Sequence, residues 1–195
     1  IYGIMAKKLG ERMLVEESEA QVFLDAREKA FPEAEAWKAK VTEEAKNTGI
    51  VRTMEGAVRH LRAALNSSDA YEASKADRQA PSFMIQSSAA EMIKKAMCTM
   101  WREGLLFKYD CEFIGAIHDE VVFSVGRKDL QNFLVDAHRA MTQPYGGMTV
   151  PIESSISLGV SFGVDQQVEI GSWPTPEAVA KGLQKVAEMQ SAASS

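Results

Sequence analysis

The sequence predicts an α+β fold in which an antiparallel sheet is backed by helices, and three observations carry that prediction. Apolar runs at residues 113–117 and 121–125 are parted only by His118-Asp119-Glu120, a link that suits an antiparallel hairpin and is too short for a crossover. The segment IVRTMEGAVRHL reads as a second hairpin, because β-branched residues flank the turn-forming pair Glu55-Gly56. Stretches with apolar residues at three- and four-residue steps lie between and around these strands, so helices and strands are interspersed without the regular alternation of a doubly wound sheet. At 195 residues and 46% hydrophobic content, the chain is long enough to bury a substantial core.

Tyr2, Met5, Leu9 and Met13 form one apolar stripe of a first helix, with Lys7, Lys8 and Arg12 off it. Ser18 followed by Gln21 has the spacing of a capping box and opens a helix through Val22, Phe23 and Ala26 that stops near Pro32. A third helix carries Trp37, Val41 and Ala45 and ends at Gly49. After the first hairpin, a long helical region runs from Ala70 to Glu103, interrupted at Pro81 and closed by Gly104, with Ile85, Ala89, Ile93, Ala96 and Met100 facing the core. The second hairpin follows, buried, with charge at its tip. A helix over 128–142 turns Leu130, Phe133, Leu134, Ala137 and Met141 inward. Beyond a loop at 144–147, Ile152, Ile156, Leu158 and Val160 alternate with serines, as in a strand with one buried face. Trp173-Pro174-Thr175-Pro176 marks a boundary before a last helix at 177–190, and its prolines favour a separately placed element.

A net charge of -5 argues against a protein that coats nucleic acid non-specifically, while leaving room for local basic clusters on a phosphate backbone. Cys98 and Cys111 sit among apolar residues without CxxC spacing, so neither a disulfide framework nor a zinc site is indicated, and a reducing, intracellular setting fits. No apolar run approaches the roughly 20 residues of a bilayer-spanning helix, and no membrane partner is expected. The opening IYGIMAKKLG has neither an initiator methionine nor a capping residue, so an upstream portion is expected, missing or on another chain.

IHDEVVFSV is the sharpest local signal. Adjacent carboxylates on a rigid hairpin are fixed oxygen donors, and Mg²⁺ takes one or two of these while keeping water and substrate phosphates as its other ligands. On its own the same pattern is also what a solvated turn carries, with His118 a hydrogen-bonded turn residue. Arg78, Ser82 and Gln86 recur every four residues and share one helix face if the helix passes Pro81. That face is either plain solvated surface or a row of hydrogen-bonding side chains laid along a nucleic-acid groove.

Taken in order, these blocks resemble DNA polymerase family A, the group of bacterial DNA polymerase I and its phage relatives, from Ile1 to about Gln167. IYG is similar to the end of the fingers helix that closes on the incoming nucleotide, and TMEG to the glycine hairpin that follows it. RQAPSFMIQSSAAEMIKKAM resembles the family's arginine, proline-containing helix, glutamine and alanine-rich stretch, and IHDEVVFSV its His-Asp-Glu motif. The resemblance implies an antiparallel palm sheet backed by helices, with part of a helical fingers subdomain. Residues 1–65 would be the C-terminal part of the fingers with the hairpin, 66–173 the palm with its metal-binding hairpin, and 174–195 a C-terminal extension.

The activity implied is template-directed DNA synthesis, nucleotidyl transfer from a dNTP to a primer 3′-hydroxyl with two Mg²⁺ ions. In that scheme Asp119 and Glu120 bind metal and, with His118 near the primer terminus, form the catalytic group. Tyr2 and Gly3 border the nucleotide and template base, while Arg78, Ser82, Gln86 and Arg59 contact the primer-template duplex. The implied partners are primer-template DNA, dNTP, and an upstream polymerase segment or second polymerase chain that supplies the other metal-binding aspartate. The implied setting is the cytoplasm of a bacterial or phage-infected cell.

The chain departs from the family pattern at Ser82, where asparagine is usual, and at Ala116, where glutamine is usual. Ala57 and Val58 stand where paired arginines often follow the hairpin glycine, leaving Arg59 and Arg62 as nearby substitutes. The first family motif and the lysine and arginine that hold the triphosphate fall before Ile1 in this pattern, so the isolated chain is expected not to polymerise. Two other classes compete. One is a non-catalytic DNA-binding or assembly subunit of a split polymerase; the other is a metal-dependent nuclease, since paired carboxylates and Mg²⁺ also serve hydrolysis.

Overall fold

A computed structural model describes residues 4–161 and 166–193. The chain divides inside one long helix into two compact units, residues 1–88 and 89–195. The N-terminal unit holds α1 (Ala6–Met13), α2 (Glu17–Ala30), α3 (Pro32–Thr48), the antiparallel pair β1 (Ile50–Arg52) and β2 (Val58–His60), the short α4 (Arg62–Leu65) and the first part of α5 (Ala70–Arg102).

The stripe expected for the first helix is corrected by the packing. Met5 and Met13 are exposed, whereas Ala6 and Gly10 are buried, and Ala6 clusters with Ala20 and Leu24 of α2. Helices joined by a tight turn approach through small residues, and a Cβ on Gly10 would lie 2.8 Å from the Val15 carbonyl oxygen. The expected capping box at Ser18 is also absent: α2 begins at Glu17 without a side-chain cap bond, and Val22 and Phe23 are exposed while Ala20 and Leu24 are buried. α3 stops at Gly49, whose φ of 76° is a conformation glycine adopts without steric cost. Its residues Val41 and Ala45 join Val51, Leu61 and Ala80 in the core of this unit.

The interruption expected at Pro81 does not occur, and α5 runs unbroken through it. Proline removes the N–H that would have bonded the carbonyl four residues back, that of Asp77. Thr42 Oγ1 of α3 donates to this carbonyl instead, at 3.3 Å, so a neighbouring helix meets the group that the proline left open.

The C-terminal unit holds the rest of α5, then α6 (Leu105–Lys108), β3 (Cys111–Ile117), β4 (Glu120–Val125), α7 (Leu130–Met141), β5 (Ile156–Gly159), β6 (Gln167–Gly171) and α8 (Pro176–Ala193). Met100, Leu105, Phe133, Ala137 and Ala140 form one core, against which Phe123 and Val125 of β4 rest. Phe123 meets Phe133 edge-on at 5.0 Å. The hairpin is less buried than its apolar composition predicts, with Phe113, Ile114 and Ile117 of β3 at 46%, 60% and 44% exposure. A two-stranded ribbon has two faces: α7 covers the one that carries Phe123 and Val125, Ile117 pairs with Glu120 on the other, and Phe113, paired with Phe123 and edge-on to its ring at 5.7 Å, stays half exposed on the covered side.

A second core of Leu130, Leu158, Val179 and Val186 ties α7, β5 and α8 together. β6 pairs antiparallel with β5, a strand that sequence patterning did not anticipate, and α8 lies on the ribbon so closely that Gly182 leaves no room for a Cβ beside Ile170. The proline-rich approach to α8 is a packed corner. Pro174 is fully buried, its carbonyl accepts from Gln131 Nε2 at 2.6 Å, and Trp173 meets His138 edge-on at 4.8 Å. The fold is therefore the expected mixture of helices and antiparallel strands, with the strands of the described residues arranged as three two-stranded ribbons. No helix among the described residues is long and apolar enough to cross a membrane.

Candidate active site and nucleic-acid face

Two residues join β3 to β4, His118 and Asp119, because Glu120 already pairs with Ile117. So short a link needs a positive φ at a central position, and His118 supplies it at 55°. Histidine in this region costs on the order of 1 kcal/mol relative to an ordinary conformation, a strain of the kind that persists where a site requires it. His118, Asp119 and Glu120 are all exposed at the end of the ribbon.

Asp119 and Glu120 line a cleft of 680 Å³, together with Met92 and Ile93 of α5, Phe133 and Leu134 of α7 and residues 152–158 at β5. Glu153 lines the same cleft. Among the described residues, however, no three His, Cys, Asp or Glu side chains gather closely enough to hold a metal. The tip thus presents two hard oxygen donors on the cleft wall.

The row expected on the long helix keeps its spacing, since α5 is continuous. Arg78 is half-buried, with Nη1 donating to Ser74 Oγ at 2.6 Å, and Gln86 is exposed. Ser82 Oγ donates to the Arg78 carbonyl at 2.9 Å, so its proton is committed to the helix and only acceptor capacity remains. Tyr2 and Gly3 lie outside the described residues.

The β1–β2 hairpin is clasped onto the same helix. Thr53 is 5% exposed, and its Oγ1 accepts from the Ala57 N–H at 2.8 Å. The Met54 N–H donates to Ser88 Oγ of α5 at 3.0 Å. On β2, Arg59 Nη2 donates to Gln79 Oε1 at 3.3 Å, and the guanidinium carbon sits 5.5 Å from the centre of the Phe83 ring. Arg62, the other candidate substitute for the missing arginine pair, is engaged elsewhere: its Nη2 donates to the Thr48 carbonyl at 2.6 Å, and its side chain closes over Gly49. Gln79, Phe83 and Ser88 went unnoticed in the sequence because each acts on a residue 20 or more positions away.

A third cluster is structural. Asp136 of α7 accepts from Lys108 Nζ at 2.7 Å and from the Tyr109 hydroxyl at 2.6 Å, and these bonds hold its carboxyl below the ordinary value. The same bonds to Asp136 raise Lys108, while Tyr109 is raised first by burial and then by Asp136. Burial pushes the Cys111 thiol up, assisted by Asp110 and Asp129, which keeps it protonated and unreactive.

Residues 1–164 match the family model described as DNA polymerase family A. The chain belongs to that family. DNA polymerase I of Treponema pallidum is 30% identical over 163 residues, covering 84% of this chain and 16% of that protein. The thermostable DNA polymerase I of Thermus aquaticus is 28% identical over 162 residues, covering 82% of the chain and 19% of the relative. DNA polymerase theta of Drosophila melanogaster is 27% identical over 177 residues, 87% of the chain and 8% of its own length.

A solved polymerase domain of Pol1 from M. smegmatis, in complex with DNA primer-template and dNTP, aligns with a TM-score of 0.71 at 26% identity, over 78% of this chain and 26% of that one. The chain therefore spans less than one fifth of the length of these curated family A relatives. The family resemblance read from the ordered blocks is borne out by these matches. β6 and α8 lie beyond the residues that match the family model.

Proposed function

We propose that this chain contributes a metal-binding hairpin and a duplex-binding face to template-directed DNA synthesis, in which a dNTP gives its nucleotidyl group to a primer 3′-hydroxyl. One observation carries the reading. Asp119 and Glu120, adjacent in sequence at the end of a packed ribbon, both line one cleft, in a chain that matches family A over residues 1–164.

Mg²⁺ suits this donor set, because it binds hard oxygen and takes few protein carboxylates beside substrate phosphates. A bound pair of ions would ease deprotonation of the primer hydroxyl and neutralise charge developing on the triphosphate and leaving pyrophosphate. Asp119 and Glu120 would hold metal here, with further ligands from an upstream polymerase segment or second chain. Their own contribution is rigidity: the two-residue turn fixes the backbone of Asp119, and Phe123 against Phe133 anchors the strand that Glu120 begins. His118 would border the primer terminus, and Tyr2 and Gly3 the nucleotide.

Arg78 and Gln86 are donors suited to the acceptors that every correct base pair shows in the minor groove, and Arg59 to a phosphate. Ser82, its proton given to the helix, would serve only as an acceptor. A non-catalytic DNA-binding subunit is the second reading, favoured by the incomplete ligand set among the described residues.

Asp119→Ala, in the polymerase assembled with its upstream segment, separates the two. The catalytic reading expects primer extension to fall by about a thousandfold while duplex affinity is retained. Unchanged extension would remove Asp119 from the chemistry and leave the binding-subunit reading. In the same assay, residues 1–195 alone are expected to give no robust synthesis.

A further inference from the structure

We infer that Gln79 and Phe83 are positioning residues that hold the Arg59 guanidinium as a preset phosphate contact beside the polar row of α5. The inference rests on the proposed DNA-binding role of this face and adds how its cation is held.

Ala57 and Val58 bring no charge to the hairpin, so its cations beyond the turn are Arg59 and Arg62. Arg62 is taken by the Thr48 carbonyl at the end of α3. Arg59 remains exposed, and its two contacts among the described residues come from one helix: the Gln79 side-chain oxygen Oε1 accepts from one of its five N–H donors, and Phe83 offers a ring face at 5.5 Å. Among the described residues the other donors meet no partner, and the residue is exposed, so the fork that matches phosphate oxygens is available.

A mobile surface arginine loses much of its side-chain freedom when it grips a ligand, whereas one already seated has less to lose. Gln79 and Phe83 sit among Arg78, Ser82 and Gln86 in the sequence of α5, so the hairpin's cation is fastened next to the row that would face the duplex. Ser88 holds the other end of the hairpin through the Met54 N–H, which keeps β2 from sliding along the helix.

The test is a double-mutant cycle on a primer-template duplex, with Arg59→Ala, Phe83→Leu, Phe83→Tyr and the double variant in the full chain. Phe83→Leu is expected to weaken binding about fivefold although no charge is removed, and Phe83→Tyr to keep wild-type affinity because the ring face survives. Added to Arg59→Ala, Phe83→Leu should have no further effect. Full additivity of the two substitutions would overturn the inference, since Phe83 would then act through the fold alone. Gln79→Ala, which spares the core, provides the same cycle should Phe83→Leu unfold the chain.

A second readout needs no DNA. The Arg59 Nε–H order parameter by NMR should be high in the free wild type and fall in Phe83→Leu; equal mobility in both would overturn the seat. If the guanidinium is ordered but the wild-type chain does not bind the duplex, the seat stands and it is the DNA-binding reading that fails, together with the use assigned to Arg59.

Discussion

The two loop-bearing hairpins, β1–β2 and β3–β4, are held in opposite ways. The turn of β1–β2 is met by a helix, with Thr53 buried, Met54 bonded to Ser88, and Arg59 resting on Gln79 and Phe83. The turn of β3–β4 is self-contained: two residues close it through a left-handed histidine, and Asp119 and Glu120 face a cleft. A hairpin whose turn is satisfied by a neighbour becomes a fixed platform. One that closes on itself leaves its tip side chains uncommitted to a neighbouring element, with a left-handed residue at its turn.

The largest effect that would sharpen this contrast belongs to Asp119→Ala. It should reduce extension by about a thousandfold yet shift the unfolding midpoint little, since an exposed tip carries little of the core. Comparable losses in both measurements would erase the difference between the hairpins. Ser88→Ala addresses the clasped hairpin and leaves the Met54 N–H without its partner, an expected loss of about 1–3 kcal/mol in urea unfolding. A neutral result would mean that the β1–β2 turn is not held by α5.

Asp136 shows what a carboxylate does when it is committed to structure. Because Lys108 and Tyr109 hold its folded-state pKa below the unfolded value, its contribution is complete above the ordinary carboxylate range and is lost as pH falls through the depressed folded value. Asp136→Asn should thus cost about 1–2 kcal/mol near pH 7, a deficit that shrinks in acid, as a series of urea titrations across pH would record. A deficit independent of pH would assign the effect to packing. The smallest change is expected from His118→Gly, which relieves the positive φ and should raise stability by about 0.5–1 kcal/mol; a fall in thermal midpoint would show that the imidazole makes compensating contacts.

Much of the candidate site was legible because its signals are local. The hairpin at IHDE follows from two apolar runs and a short link, and Gly49 and Gly104 stop their helices through backbone freedom that belongs to glycine alone. Arg78, Ser82 and Gln86 share a face by helical period once the helix is continuous. Roles that depend on a distant partner were not legible. Nothing near Arg59 and Arg62 says that one would stay exposed on Phe83 and the other cap α3.

By itself, then, the amino-acid order determined the α+β class, the hairpins, the placement of acids and polar rows, and membership of family A, since these follow from short-range periodicity, turn chemistry and ordered motifs. Tertiary structure alone decided that α5 passes Pro81, that Ala6 and Gly10 rather than Met5 and Met13 meet α2, that β6 and α8 complete a core, and which arginine is left to face outward. The reason is common to all four. Each outcome depends on a group brought in from another element to satisfy a carbonyl, fill a close approach or seat a charge, and local sequence carries no record of which element will arrive.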